Sequence, residues 1–143
     1  MAYRFLDDIA TADIAFRAEG KTLEEVFVSA AEATLNVMIE DISAIEAKQK
    51  CEIKLSAENE EMLLFRFLQE LIYLKDADNI LFRVTQVKID RADEKWLLIA
   101  KAVGEHIDPK KHSLNVDVKA VTMHRFALKR SPKGFEATVV LDI

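Results

Sequence analysis

A chain of 143 residues, half of them hydrophobic and 31% charged, has the size of one domain, and we expect a single domain over residues 1–143. A formal net charge of -5 makes independent binding to a nucleic-acid backbone a poor prediction, because that binding comes mainly from clustered Lys and Arg. The one cysteine, Cys51, excludes an intrachain disulfide, and no apolar run approaches the length of a membrane span. We therefore expect a cytoplasmic protein.

Hydrophobic periodicity predicts two helices among seven strands. Thr22 followed by Glu25 forms a capping box, and apolar residues then recur at three- and four-residue spacing, which predicts a helix over 22–40. A change of parity between Val84 and Val87 predicts a bulge near 85–86. In chain order, the predicted elements are strands 3–5 and 12–18, helix 22–40, strand 50–56, helix 58–74, and strands 80–89, 95–103, 118–129 and 134–143.

This order of elements predicts the fold class. Four consecutive strands at the C-terminal end favour antiparallel neighbours, and two helices with one apolar stripe each favour packing on a sheet. We expect an α+β fold of two layers, with a mixed, mostly antiparallel β-sheet and two helices packed on one face. The sequence has no Gly-rich phosphate loop, no G-x-S-x-G nucleophile motif and no Cys/His zinc cluster, which argues against a self-sufficient nucleotide enzyme.

Two carboxylates lie at the ends of predicted strands. Asp13 begins one strand, Asp142 ends another, and Ile143 carries the terminal carboxylate one residue later. If these strands are neighbours, three negative groups crowd one end of the sheet, and a hard divalent cation such as Ca²⁺ or Mg²⁺ would relieve their repulsion. In the alternative, the terminus frays and Asp142 is solvated, which is the commoner situation for a carboxylate.

Other charged residues suggest contact with a partner less directly. Asp117 and Lys119 are two residues apart and would share a strand face. They form either a surface ion pair of little stabilising value or a contact for the charged site of a partner. His112 flanks an irregular loop, where we expect it to be exposed. For His124, in mid-strand, a hydrogen-bonded structural role is a better prediction than that of a general base.

Six segments in order along the chain together resemble the archease family. They are residues 11–14 (TADI, against the family's HTAD signature), 22–27 (TLEEVF, the first helix start), 62–68 (the second helix), 104–112 (the family's GE…KH loop), 119–124 (KAVTMH, against KAVTYH) and 139–143 (VVLDI, against VVLD). Two positions depart from the family pattern: Ala10 replaces the signature histidine and Met123 replaces a tyrosine.

The resemblance implies a function that the residues alone do not. Archeases are accessory proteins, not enzymes, of the GTP-dependent tRNA-splicing RNA ligase, whose guanylylation and multiple turnover they promote. The family's metal site would map to Asp13, Asp142 and Ile143, with Ca²⁺ expected and Mg²⁺ or Mn²⁺ as alternatives. The family's lysine and loop histidine would map to Lys119 and His112.

Together with Asp117, these two residues are candidate contacts with the ligase, and tRNA would be reached only through that partner. Two alternative functions remain open from the residues. One is a metal-dependent phosphoesterase that uses the same carboxylates. The other is a general chaperone-like modulator.

Overall fold

The protein is described by a computed structural model over residues 3–6 and 13–143. Residues 7–12, which include Ala10 of the signature and the start of the predicted strand 12–18, lie outside the described residues. In chain order, the described elements are β1 (Tyr3–Leu6), β2 (Asp13–Gly20), α1 (Leu23–Met38), a 3₁₀ turn (Ile42–Ala44), β3 (Gln49–Ala57), α2 (Glu60–Asp78), β4 (Ile80–Ala92), β5 (Lys95–His106), β6 (Ala120–Ser131) and β7 (Gly134–Asp142).

The described strands form two sheets. One has four strands in the order β1-β2-β7-β6, and the other has three in the order β3-β5-β4. Every pairing between these strands is antiparallel. The predicted α+β class, with mostly antiparallel strands and two helices, is confirmed. The division of the strands between two sheets is a feature that the sequence analysis did not predict.

Helix α1 packs on both sheets. Its N-cap Thr22 accepts a hydrogen bond from the Glu25 backbone N–H at 3.1 Å, and the Glu25 carboxylate accepts one from the Thr22 N–H at 3.4 Å, which confirms the predicted capping box. The buried face of α1 contacts β2 in one sheet and β4 in the other. Phe27 of α1 stacks on Phe67 of α2 with ring centroids 5.7 Å apart, so the two helices and both sheets share one core. Among the described residues, neither helix is long and apolar enough to cross a membrane.

Helix α2 covers the outer edge of β6. Three α2 side chains, four residues apart along the helix, each contact one β6 residue: Glu61 with Leu128, Phe65 with Phe126, and Gln69 with Val121. The first and last contacts are hydrogen bonds of 3.2 and 3.1 Å, donated by the strand's backbone N–H groups. The middle contact is an edge-to-face pair of rings with centroids 5.4 Å apart. The polar groups on this edge of the sheet are therefore partly satisfied by the helix.

Strand β4 contains the bulge that its change of parity predicts. The register of β4 against β5 shifts between Val84 and Gln86, where Thr85 is the extra residue. The bulge keeps Val84 and Val87 both buried although they differ in parity.

A second, larger bulge in β6 is new. Thr122 is opposite Val140 and Ala127 is opposite Thr138, so the four residues 123–126 face a single residue of β7. Within it, Arg125 has a φ of 55°, in the left-handed region that non-glycine residues seldom adopt. The strand also begins at Ala120 instead of the predicted 118. The bulge turns residues 123–125 to solvent and keeps the next one, a phenylalanine, in the core.

Candidate functional site

Asp13 and Asp142 are direct cross-strand partners. Asp13 is the first described residue of β2 and Asp142 the last of β7, and the antiparallel register of these two strands places them opposite each other. Residues directly opposite in such a ladder point to the same face, with their Cβ atoms about 4.5–5.5 Å apart. Both side chains are half-buried. The sheet therefore brings together the two carboxylates that the sequence analysis selected.

The same end of the sheet holds Lys119 and the chain end. The backbone N–H of Lys119 donates a hydrogen bond of 2.8 Å to the Asp142 carbonyl oxygen, and Ala120 is the β6 partner of Asp142. Lys119 is exposed, whereas Ile143 is half-buried and packs against the core. The Ile143 side chain packs against the core directly after Asp142. Two acidic side chains and an exposed lysine thus share one end of the sheet.

The donor chemistry of this edge fits a hard divalent cation. Like charges directly opposite in a ladder are destabilising, and a cation between them would remove that cost. Carboxylate oxygens are the ligands that Ca²⁺ and Mg²⁺ prefer. Within the described ranges, no group of three or more His, Cys, Asp or Glu side chains is placed to hold a metal ion. At this end of the sheet, the side chains that could hold a cation are the pair Asp13 and Asp142.

Asp117 is held by a buried lysine and not by Lys119. The Lys75 ammonium on α2 lies 2.5 Å from Asp117 Oδ1, 2.8 Å from Asp76 Oδ1 and 2.8 Å from the Val118 carbonyl oxygen. Burial lowers the pKa of Lys75, but the hydrogen bonds from its ammonium group to the two carboxylates outweigh this effect, so the pKa lies above its usual value. The predicted surface pair of Asp117 with Lys119 is wrong, because strand β6 begins only after these residues.

Lys75 positions the segment that leads to the Asp13–Asp142 pair, although the sequence analysis did not select this lysine. It holds Val118, whose neighbour Lys119 bonds to Asp142. A signal was available in the sequence. Lys75 falls four residues after Leu71 and seven after Leu68, on the buried stripe of α2.

His112 is buried, in contrast to the predicted exposed position. Its side chain has 0% relative exposure, and its Nδ1 accepts a hydrogen bond of 3.0 Å from the Asp108 backbone N–H. Nδ1 is therefore unprotonated in the neutral ring, which places the proton on Nε2. Nε2 lies 3.2 Å from Glu105 Oε2 but outside hydrogen-bond alignment. A side chain in this position shapes a loop and does not itself touch a partner.

Glu105 is the centre of a network of hydrogen bonds that holds the loop containing His112. Its carboxylate accepts a 2.6 Å hydrogen bond from the Glu46 backbone N–H and bonds of 3.0 and 2.9 Å from the Lys111 ammonium. These bonds, the backbone one first, lower the pKa of Glu105 to about 2 despite its burial. Gly104 precedes it because a Cβ there would lie 2.1 Å from the Leu81 carbonyl oxygen. The network thus joins the Gly104–Glu105 and Lys111–His112 pairs into one loop structure.

The comparisons with known proteins agree over the whole chain. Residues 3–143 match the Archease protein family (MTH1598/TM1083). The archease of Pyrococcus furiosus is 42% identical over 134 residues, which cover 93% of this chain and 94% of that protein. The archease of Methanosarcina barkeri is 40% identical over 142 residues, which cover 99% of this chain and 95% of that protein.

Two solved structures share the fold. The solution structure of Methanobacterium thermoautotrophicum protein 1598 has a TM-score of 0.86 and 36% identity, with 99% of each chain covered. The crystal structure of a Thermotoga maritima archease, described there as a possible chaperone, has a TM-score of 0.61 and 20% identity, with 98% of each chain covered. At that lower identity, the second likeness concerns the fold alone.

Proposed function

The chain belongs to the archease family, and from this membership we propose that it is a metal-binding accessory protein that activates the tRNA-splicing RNA ligase. In this role it promotes guanylylation and multiple turnover of the ligase without being an enzyme itself. It reaches tRNA through the ligase. The family membership supports an accessory role, and the acidic edge is the observation that carries the metal part of the proposal.

The acidic edge consists of Asp13, Asp142 and the terminal carboxylate of Ile143, and it would hold Ca²⁺, with Mg²⁺ or Mn²⁺ as alternatives. Three features support this: direct cross-strand pairing, half-burial of both side chains, and a chain end packed in place. A divalent cation at this edge would neutralise the clustered charge and order the end of β7. The edge could then approach another charged site, such as a ligase active centre, without net repulsion.

Lys119 is the residue of this edge best placed to touch the ligase. Its side chain is exposed while its backbone is fixed to Asp142. Asp117 has 71% of its side chain exposed although it pairs with Lys75, so its second oxygen is available to a partner. His112 would act indirectly, by holding the loop over residues 105–112.

A ligase guanylylation and multiple-turnover assay tests the proposal, with this chain added in sub-stoichiometric and stoichiometric amounts. We expect the wild-type chain to raise turnover, and D13N and D142N to lose the stimulation. The matched control is D93N, because Asp93 is an exposed turn residue with a φ of 57° that Asn tolerates. Full stimulation by D13N and D142N would contradict the metal-edge proposal.

Two further outcomes would favour the alternative functions. Hydrolysis of a phosphoester by the purified chain with a divalent ion and no ligase would support a metal-dependent phosphoesterase. Suppression of the aggregation of an unrelated client, by wild type and D142N alike, would support a general chaperone-like modulator. Large apolar side chains with high exposure, such as Tyr73 at 60% and Met123 at 55%, give the second alternative its physical basis.

A further inference from the structure

A quarter of the basic residues of this acidic chain lie in one segment made of strand β6, the residue before it and the turn that follows it. The chain has 20 Lys and Arg against 25 Asp and Glu. Residues 118–135 hold five of the 20 and none of the 25, which leaves 15 basic against 25 acidic residues elsewhere. We call these five residues the basic edge: Lys119, Arg125, Lys129, Arg130 and Lys133. The net charge of the whole chain conceals this segregation.

The charges of the basic edge are not neutralised within the protein. All five residues are exposed. Over the described ranges, none of their charged groups has a carboxylate within 4 Å, which is also true of ten of the 15 basic residues elsewhere, so what distinguishes these five is that they follow one another without an intervening acid. The Arg130 guanidinium instead lies over the Phe135 ring, 5.1 Å from its centroid.

Two acidic groups beside β6 have other partners. Glu136 is the cross-strand partner of Lys129, but its carboxylate lies 3.4 Å from Nε of Arg17. Glu61 on α2 accepts the backbone N–H of Leu128 at 3.2 Å. Both carboxylates reduce the local positive potential without forming an ion pair with the basic edge. Lys119 lies beside Asp117 and Asp142, so the surplus of positive charge is greatest over Arg125, Lys129, Arg130 and Lys133.

Protection of a sheet edge is the usual explanation for lysines on an outer strand, because they prevent edge-to-edge pairing. It does not account for the basic edge. Backbone N–H groups of β6 at Val121 and Leu128 already donate to α2 side chains, and Phe126 between them packs on Phe65. An edge that a helix already covers does not need five charges to stay unpaired.

The bulge at 123–126 adds groups that suit a nucleic acid. It places Met123, His124 and Arg125 in solvent next to one another. Imidazole rings and guanidinium planes stack on unpaired bases, and a guanidinium also binds phosphate oxygens in a bidentate manner. A four-residue bulge with a positive φ is the kind of local distortion that is found at binding sites.

We propose that the basic edge binds the phosphate backbone of single-stranded RNA. The cations follow one another along a strand and its turn, beside the nine residues of β7, which span roughly 30 Å at about 3.3 Å per residue. Such a track matches a linear polyanion. An acidic protein surface would also pair with these cations, but the outward imidazole and guanidinium of the bulge favour RNA because both can stack on unpaired bases. The proposal does not depend on the ligase or on a bound metal, and it adds a direct RNA contact to the indirect one through the ligase.

Fluorescence anisotropy with a labelled single-stranded oligouridine tests the proposal, in chelator and without ligase. The variant R125Q/K129Q/K133Q removes three cations but leaves the Arg130–Phe135 contact intact. We expect it to bind at least about tenfold more weakly than wild type at about 50 mM salt. Each lost phosphate contact should also reduce the slope of log affinity against log salt by about 0.7, or about 2 in total.

The matched control is K50Q/K88Q/K101Q, which removes three exposed cations from the other sheet and changes the net charge equally. We expect it to bind within about twofold of wild type, since these lysines contact no phosphate in the proposal. Three results would overturn the proposal: no wild-type binding at low salt, equal losses in both triple variants, or tighter binding of oligoglutamate than of oligouridine. Even if a variant is unstable, the slope of log affinity against log salt for the wild type tests whether phosphate groups are contacted.

Discussion

Asp13 and Asp142 face each other across the β2–β7 ladder at the end where the chain terminates. The first prediction follows from this pairing. In chelator, D142N should be at least as stable as wild type, because it removes one of two opposed like charges that together cost about 0.2–1 kcal/mol. With Ca²⁺ at about 100 times its Kd, wild type should gain about 2.7 kcal/mol of stability that D142N lacks.

Thermal unfolding with and without Ca²⁺ measures both parts of this prediction. D93N, altered in an exposed turn, should keep the whole gain. A Ca²⁺-dependent rise in Tm of equal size in D142N would show that the ion binds elsewhere. A lower Tm of D142N in chelator would show that its carboxylate has a stabilising contact that charge repulsion does not capture.

Lys75 carries the second prediction. K75M should lower the free energy of unfolding by about 1–3 kcal/mol, because the buried carbonyl of Val118 loses its donor. The loss of the pairs with Asp76 and Asp117 adds little, since 55% and 71% of these side chains are exposed. Urea unfolding measures the change, and K88M, an exposed substitution on β4, is the control. Equal stability of K75M and wild type would mean that a water replaces the ammonium.

The sequence was sufficient for the features that rest on local periodicity. The capping box at Thr22 and the bulge beside Thr85 both follow from neighbouring residues, and both were predicted correctly. The parity change that marks the β4 bulge is also present in β6, between Met123 and Phe126. Unbroken strand propensity across the segment concealed it.

Tertiary pairing decided the features that could not be predicted. Nothing local to Asp117 indicates that its partner is Lys75, which lies 42 residues away on a helix. The proximity of Asp13 and Asp142 likewise depends on β2 and β7 being neighbours, a relationship between the two ends of the chain. From the sequence, we could predict that the two carboxylates are close only if these two strands are neighbours. Their positions at strand ends made the two residues candidates, the resemblance to the archease family favoured them, and the strand register brought them together.

The pH dependence of stability yields a third prediction, based on Glu105. Its pKa is lowered from 4.5 to about 2 in the folded chain, so the unfolded chain takes up this proton at the higher pH. The stabilisation is therefore present above about 4.5 and disappears as the pH falls towards about 2. E105Q should be less stable than wild type at neutral pH, and the difference should shrink across that window.

Urea midpoints of wild type and E105Q from neutral pH to about 2.5 measure the effect. E94Q, which alters an exposed carboxylate in the β4–β5 turn, should track wild type throughout. A gap between E105Q and wild type that stays constant down to the lowest pH would contradict the prediction. It would mean that shape, not charge, makes Glu105 necessary to the loop.

Two residues of the β6 bulge give the fourth prediction, because the bulge places one of them in the core and the other in solvent. Phe126 is buried and meets the Phe65 ring edge-to-face, while Met123, three residues earlier, is 55% exposed. F126A should lower the free energy of unfolding by about 3–5 kcal/mol, since it leaves a cavity between β6 and α2. M123A should change it by no more than about 0.5 kcal/mol. Urea unfolding of both variants checks the contrast. Similar losses in the two would mean that the bulge packs as a unit, in which case Met123 could not serve as an outward contact.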